Sequence, residues 1–308
     1  MTTPSQAANG TFESQTAPAA ALTPTRPFYW SVRRELFEYR SLYLAPLAIG
    51  AVVLLGFLVV LARLPNTMQR AMTMEPMAHR HALAQPFDVA ASLIMMAAFI
   101  VSIFYSLDCL YGERRDRSIL FWKSLPVSDL TTVLAKACIL LLVLQVLSFA
   151  ITLVVETIML LLSSAVVAGS GFSVTEYWNS LALYSTMWGL AYHLVTVHML
   201  WYAPLYCWLL LVSAWSRRTP FLWAVLPPFG VVIFEKIAFH TSYFLNFLIE
   251  RVSGGNQAFG GGKGNMLDPD MPMTPGPFLL TPGLWLGLLF AAAFLWSAAR
   301  LRRQRSPL

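Results

Sequence analysis

The sequence predicts an all-α integral membrane protein. It has six transmembrane helices, an N-terminal amphipathic helix in the membrane interface and a short cytoplasmic helix between spans two and three, and both termini lie in the cytoplasm. Three observations predict this. The 308 residues are 57% hydrophobic and only 12% charged, about half the roughly 25% of a soluble domain, and the mean hydropathy is +0.61. The apolar residues fall in runs of about 20 or more, enough helix to cross roughly 30 Å of hydrocarbon. Lys and Arg crowd into alternate loops, which is how a membrane protein is oriented.

The elements come in this order. Residues 1–27 form a tail rich in Thr, Ala, Pro and Ser; without a basic region leading into an apolar one, it is expected to be disordered and cytoplasmic. A transmembrane domain occupies 28–300. In its opening stretch, FYWSVRRELFEYR, Tyr29, Val32, Leu36 and Tyr39 recur at helical spacing with Arg33, Arg34, Glu35 and Glu38 between them, the pattern of an interfacial helix. The spans are expected over 41–62, 87–110, 131–168, 194–215, 221–239 and 282–299. The third is too long for one perpendicular crossing, so it should tilt and extend past the membrane; Lys136 and Glu156 interrupt it. Residues 177–216 contain no Asp, Glu, Lys or Arg; we read 175–193 as a helix at the outer membrane edge and place the fourth span after it. Pro227, Pro228 and Gly230 should break the fifth span. Outer loops are expected over 63–86 and 240–281, the latter with a flexible glycine-rich stretch, 254–265. A basic cytoplasmic tail closes the chain over 301–308.

Charge fixes the parity. With both termini inside, fourteen Lys and Arg are cytoplasmic, five are outside (Arg63, Arg70, Arg80, Arg251, Lys263) and two fall within spans. A seventh span would export the Arg-rich C-terminal end. The net charge of +6 therefore serves orientation, and no nucleic-acid partner is expected.

Motifs for covalent chemistry are missing: there is no nucleotide-binding loop, HExxH or GxSxG. The Gly262–Lys263 pair lacks both the upstream glycine and the adjoining Ser or Thr of a phosphate loop. Cys109, Cys138 and Cys207 have no CxxC spacing and read as small buried hydrophobes. Ionisable residues within apolar runs are pathway candidates because they are costly in lipid. Glu156 either lines a cavity between helices or sits just beyond the membrane on the long third helix. Glu235 and Lys236 are neighbours about 100° apart on a helix and can reach the interface. His193 and His198, five apart, fall on different faces of an α-helix. The stretch containing Met72, Met74, Met77, His79 and His81 carries thioether and imidazole groups that suit Cu(I); otherwise it is an amphipathic outer helix with Met as filler.

The most informative segment is LYGERRDRSILFWKSLPVSDLT, residues 110–131. Its charged half (Glu113, Arg114, Arg115, Asp116, Arg117) precedes an apolar half (Ile119, Leu120, Phe121, Trp122, Leu125). Glu113 and Arg117 form an i,i+4 pair that favours helix, Phe121, Trp122 and Leu125 present an apolar face to a partner, and Ser128 or Asp129 caps the next helix. With Glu113, Arg114, Arg117, Ser118 and the Leu125-Pro126-Val127-Ser128-Asp129 turn in place, and the amphipathic helix, long third span and large outer element around them, residues 28–300 resemble the permease subunit of an ABC-2-type transporter. Trp122-Lys123 and the glycine-rich outer loop depart from the family's usual pattern.

The resemblance implies a non-catalytic exporter subunit in a bacterial cytoplasmic (inner) membrane. It would pair with a second copy of itself or a homologous permease. Two separate ATPase subunits, which hold the ATP and Mg, would dock on a coupling helix made of Glu113, Arg114, Asp116, Arg117, Ser118, Leu120, Phe121, Trp122, Leu125 and Pro126. Arg217 and Arg218 would give a minor cytoplasmic contact. Glu156, Glu235 and Lys236 are pathway candidates, and membrane lipid is the surrounding partner. The rival classes are an integral membrane enzyme and an ATP-independent ion-coupled transporter; a copper-related ABC permease is a further alternative.

Overall fold

The computed structural model describes residues 26–124, 127–252 and 275–304. Residues 1–25 of the expected N-terminal tail (1–27), the glycine-rich stretch 254–265, and Leu125 and Pro126 lie outside the described residues, as does the end of the C-terminal tail. Among the described residues every regular element is a helix and none is a strand.

Helix α1 (Pro27–Glu38) precedes the hairpin of α2 (Ser41–Ala71) and α3 (Pro76–Asp108). Two short helices, α4 (Tyr111–Arg115) and α5 (Ile119–Ser124), lead to α6 (Asp129–Cys138). A π-helical segment (Ile139–Val143) joins α6 to α7 (Leu144–Gly169), then come α8 (Val174–Leu181) and α9 (Leu183–His193). A second π-helical segment (Leu194–Trp201) leads into α10 (Ala203–Trp215), α11 (Pro220–Phe239), α12 (Tyr243–Val252), α13 (Pro275–Leu280) and α14 (Pro282–Gln304). Five helical stretches are long and apolar enough to span a membrane: Ser41–Ala71, Ala78–Arg115, Asp129–Gly169, Pro220–Phe239 and Pro282–Gln304. A sixth would be the pair Val174–Trp201 and Ala203–Trp215, bent by 44°. This is the architecture of a multi-pass membrane protein.

Two apolar cores hold the bundle. Around one, α10 packs on α14 and α3, and α1 lies on α6; Leu42, Tyr105, Val133, Leu140, Tyr206 and Ala298 are buried there. In the other, α2, α3 and α7 meet around Phe57, Leu61, Phe87, Ile151 and Met159. Gly50 lets α2 approach α7: a Cβ there would stand 3.1 Å from a Val155 methyl.

Several sequence expectations need correcting. Residues 63–86 are not a loop. The apolar spacing Leu61, Leu64, Met68, Ala71 continues the α2 stripe beyond the expected end of the span, and all four are buried; only Met72–Glu75 turns the chain before α3. The break expected before residue 194 lies instead at Tyr202, where Pro204, near the start of α10, cannot donate back into the previous turn. In the π-helical register, residues five apart stack, so His193 and His198 share a face, with ring centroids 5.4 Å apart. The C-terminal tail is helical to Gln304, and Arg302 within it is buried.

Helix α11 runs unbroken through Pro227 and Pro228. Pro228 has no N–H to give the Ala224 carbonyl four residues back. The Trp208 indole N–H of α10 donates to that carbonyl at 3.2 Å, and packing here includes Leu209, Val212 and Ala224. Trp208→Phe should therefore lower stability by about 1–3 kcal/mol, the cost of an unsatisfied buried acceptor. In a Pro228→Ala background, which restores the helical donor, the same change should cost clearly less. Thermal unfolding of the four proteins in mild detergent measures both.

Candidate functional site

The charged half of the 110–131 segment is drawn into the protein. After α3, Leu110 N–H and Tyr111 N–H donate to Ser213 Oγ of α10 at 3.2 and 2.9 Å, and that hydroxyl donates to the Leu107 carbonyl at 2.8 Å. Arg114 is buried and donates to the carbonyls of Ser213 and Ser216 at 2.7 and 2.6 Å. Helix α4 is thereby tied to the end of α10. Beyond Ser216, Arg217 and Arg218 are exposed.

Glu113, also buried, is the centre of an ion network. Its Oε1 lies 3.0 Å from Arg34 Nη2 of α1 and 3.1 Å from Lys136 Nζ of α6, and its Oε2 lies 3.1 Å from Arg302 Nη2 of α14. Lys136 Nζ also reaches Glu35 Oε1 at 2.7 Å. Arg34 pairs with Glu35, and Arg302 with Asp129. Tyr105 Oη donates to Glu35 Oε2 at 2.8 Å. Three acids (Glu35, Glu113, Asp129) thus face three bases (Arg34, Lys136, Arg302), so this inner set carries no net charge; the exposed Glu38 adds a fourth acid at its rim, 3.6 Å from Arg34 Nε. Lys136 is wholly buried, which demands such partners in an apolar helix. Burial works against the Arg34 charge, but Glu35, then Glu113 and Glu38, outweigh it and hold its pKa above the usual Arg value.

The i,i+4 pair expected between Glu113 and Arg117 does not form a continuous helix. Arg117 adopts a left-handed conformation, φ +58°, that ends α4 and starts a new turn. Ile119 is buried, whereas Leu120 and Phe121 are 59% and 61% exposed. Trp122 faces inward in part, with the Arg34 guanidinium 4.0 Å from its ring centroid, a favourable cation–π stack. Arg115, Asp116, Arg117 and Lys123 are exposed around the apolar pair, and Ser118 is half-buried. Leu125 and Pro126 fall outside the described residues. Ser128 caps α6, accepting from Thr131 N–H at 3.0 Å.

The other candidates separate. Glu235 caps α12: its oxygens accept from Thr241 Oγ1, Tyr243 N–H and Phe244 N–H at 2.7, 2.7 and 2.8 Å. Lys236 Nζ donates to Ser242 Oγ at 3.3 Å. Met72, Met74 and His81 are exposed; the His79 Nδ1 stands 2.9 Å from the Ala71 carbonyl oxygen, closing the α2–α3 turn. Among the described residues no group of three or more His, Cys, Asp or Glu is placed to hold a metal. Glu156 is deeply buried on α7 and lines a pocket shared with α9.

Sequence reasoning missed Arg34, Glu35 and Arg302 as members of one site. The signal was Lys136: a Lys inside an apolar run needs a partner, and the two acids it meets, Glu35 and Glu113, both precede it in the sequence.

No family model, curated protein or solved structure matches the chain.

Removing one member of the network leaves an opposite charge buried and uncompensated, which costs about 3–5 kcal/mol. Glu113→Gln, which strips three bases of their shared partner, should approach the upper end. Glu35→Gln and Lys136→Met, which remove one charge of each sign, should together cost less than the sum of the two single changes. Denaturant titration of detergent-solubilised protein measures the cycle.

Proposed function

We propose that this chain is the transmembrane subunit of an ATP-driven ABC exporter of the ABC-2 type in a bacterial inner membrane. It forms the substrate pathway with a second copy of itself or a homologous permease. Two separate ATPase subunits drive it, and ATP and Mg²⁺ react on those partners. In this reading the bent pair α8–α10 is one span, which gives six, and both termini lie in the cytoplasm with the ion network at that face. This chain does no covalent chemistry.

The observation that carries the reading is the build of the Tyr111–Ser124 segment. An exposed apolar pair, Leu120 and Phe121, sits on a short helix whose base is clamped from within. A flexible surface loop would expose the charges and hide or scatter the aromatics. Here Glu113 and Arg114 are inside and the apolar pair is outside, on a stretch that also exposes Arg115, Asp116, Arg117 and Lys123. An unpartnered apolar patch with a polar rim is the anatomy of a protein interface. The docking surface is thus narrower than the whole stretch: Leu120 and Phe121 would enter the ATPase groove, while Glu113 and Arg114 set the posture of the helix. Because Trp122 rests on Arg34, and Arg34 binds Glu113, a push on α5 would reach α1, α6 and α14 together.

Affinity purification from the native membrane tests this. The wild type should bring down an ATP-hydrolysing subunit, identified by peptide sequencing, and Leu120→Ala/Phe121→Ala should reduce its yield by about tenfold or more, as expected for loss of a central apolar anchor. Both side chains are exposed, so the thermal midpoint should stay put. Absence of an ATPase from the wild-type preparation would end the reading.

A further inference from the structure

Between α7 and α9 lies a pocket of about 550 Å³, within the size range of small-molecule sites. Leu153, Leu160, Tyr184, Met187 and Trp188 line it together with Glu156. Glu156 is only 4% exposed, and neither carboxylate oxygen has a hydrogen-bond partner among the described residues. The charged group that acts on it is a second acid, Asp88 of α3; no base is among the groups that do. This contrasts with the ion network, where each acid meets bases. Burying a carboxylate without a counter-charge is expensive, and a proton neutralises it, so a cation that enters the pocket would take the place of that proton.

The walls specify what kind of cation. Tyr184 and Trp188 form an edge-to-face pair with ring centroids 6.2 Å apart, and both remain exposed on the pocket-bearing helix. Aromatic faces beside a carboxylate select a soft, poorly hydrated cation. A small hydrated metal ion would need several oxygen ligands; beside Glu156 the lining offers the Tyr184 phenol and the Thr157 hydroxyl, which already donates to the Leu153 carbonyl at 2.7 Å. A second hollow, lined by Trp178, Asn179 and Ser185, adjoins it at Leu160 and Tyr184, beside the apolar wall.

We infer that this pocket binds a lipophilic organic cation, with Glu156 as counter-ion and Tyr184 and Trp188 as the aromatic wall. The site belongs to this chain alone and needs no ATPase, so it stands or falls separately from the docking surface on α5.

The test uses the full-length protein in phosphatidylcholine nanodiscs, with radiolabelled tetraphenylphosphonium as probe and tetraphenylborate, nearly the same shape with opposite charge, as control. Tetraphenylphosphonium should bind saturably above empty nanodiscs, and tetraphenylborate should not. Glu156→Gln, which keeps the shape and removes the charge, should weaken cation binding by about tenfold or more, as loss of a charge-assisted contact does. Trp188→Leu and Tyr184→Leu should each weaken it as well, and they carry the test if Glu156→Gln does not reconstitute. Absence of saturable binding to the wild type, equal binding of the two ions, or unchanged affinity in Glu156→Gln or in both aromatic variants would overturn the inference.

Discussion

The contact between Glu113 and Lys136 is the constraint on which the rest of the architecture depends. A Lys within an apolar helix and a Glu at the end of another are each unfavourable when taken from water alone. They are tolerated because Arg34, Glu35, Arg302 and Asp129 complete a neutral set around them. That requirement acts together with apolar packing, in which Val32, Leu36 and Tyr39 lie against the core, to keep this amphipathic helix on the bundle. Helix α1 buries only Glu35, and it is held by the ion pairs and by the edge-to-face stack of Tyr39 on Tyr105 at 4.9 Å. The same contacts bring together residues 34, 113, 136 and 302, so segments from both ends of the chain are locked to the middle of it.

Away from the network, placement depends on local departures from the α-helix. The left-handed residue Arg117 separates α4 from α5, and Ala182, also left-handed, separates α8 from α9. Two π-helical segments rotate the helices that come after them, and one of them stacks His193 near His198. Each departure leaves backbone groups to be satisfied, which in an apolar surround must happen inside the protein. Ser213 does this for the start of α4, Trp208 for α11 beneath Pro228, and Glu235 for the start of α12. Glu235, a pathway candidate in the sequence, is thus spent on backbone repair.

The long apolar segments were legible, because hydrophobic run length is a direct readout of the solvent they face. The expected starts of the first, third, fifth and sixth spans lie within two residues of the observed helices. Boundaries that depend on helical periodicity beyond the apolar run were not, as the hairpin over 63–86 shows: its Arg63 and Arg70 suggested a loop, while Leu64, Met68 and Ala71 kept the stripe going inward. The exposed pair Leu120 and Phe121 was legible within its segment. The inward turn of Glu113 and Arg114 was not, since local spacing offered Arg117 as a partner and the real partners are 79, 23 and 189 residues away. Long-range ion pairing leaves no periodic trace. The one clue available is a charge in an apolar run, and that clue names the need for a partner without naming the partner.

The same long helix carries both buried acids' environments. From Lys136 to Glu156 is about 20 residues, roughly 30 Å along a helix axis, close to the thickness of the hydrocarbon layer. The network and the unpartnered carboxylate are thus separated by about the thickness of that layer, with the π-helical segment Ile139–Val143 between them. A straight α-helix passes an axial push along almost unchanged. A π-helical segment is one residue out of step with the α-helix around it, so it can absorb a rotation without breaking the rod. Gln145 supports the junction by donating to the Leu140 carbonyl at 3.0 Å. In the proposed cycle, movement of α5 would therefore reach the Glu156 pocket as a turn of α7 against α9, changing how the carboxylate faces Tyr184 and Trp188. Charge compensation at the two ends would then differ in kind: permanent at the network, and supplied by a bound cation at the pocket.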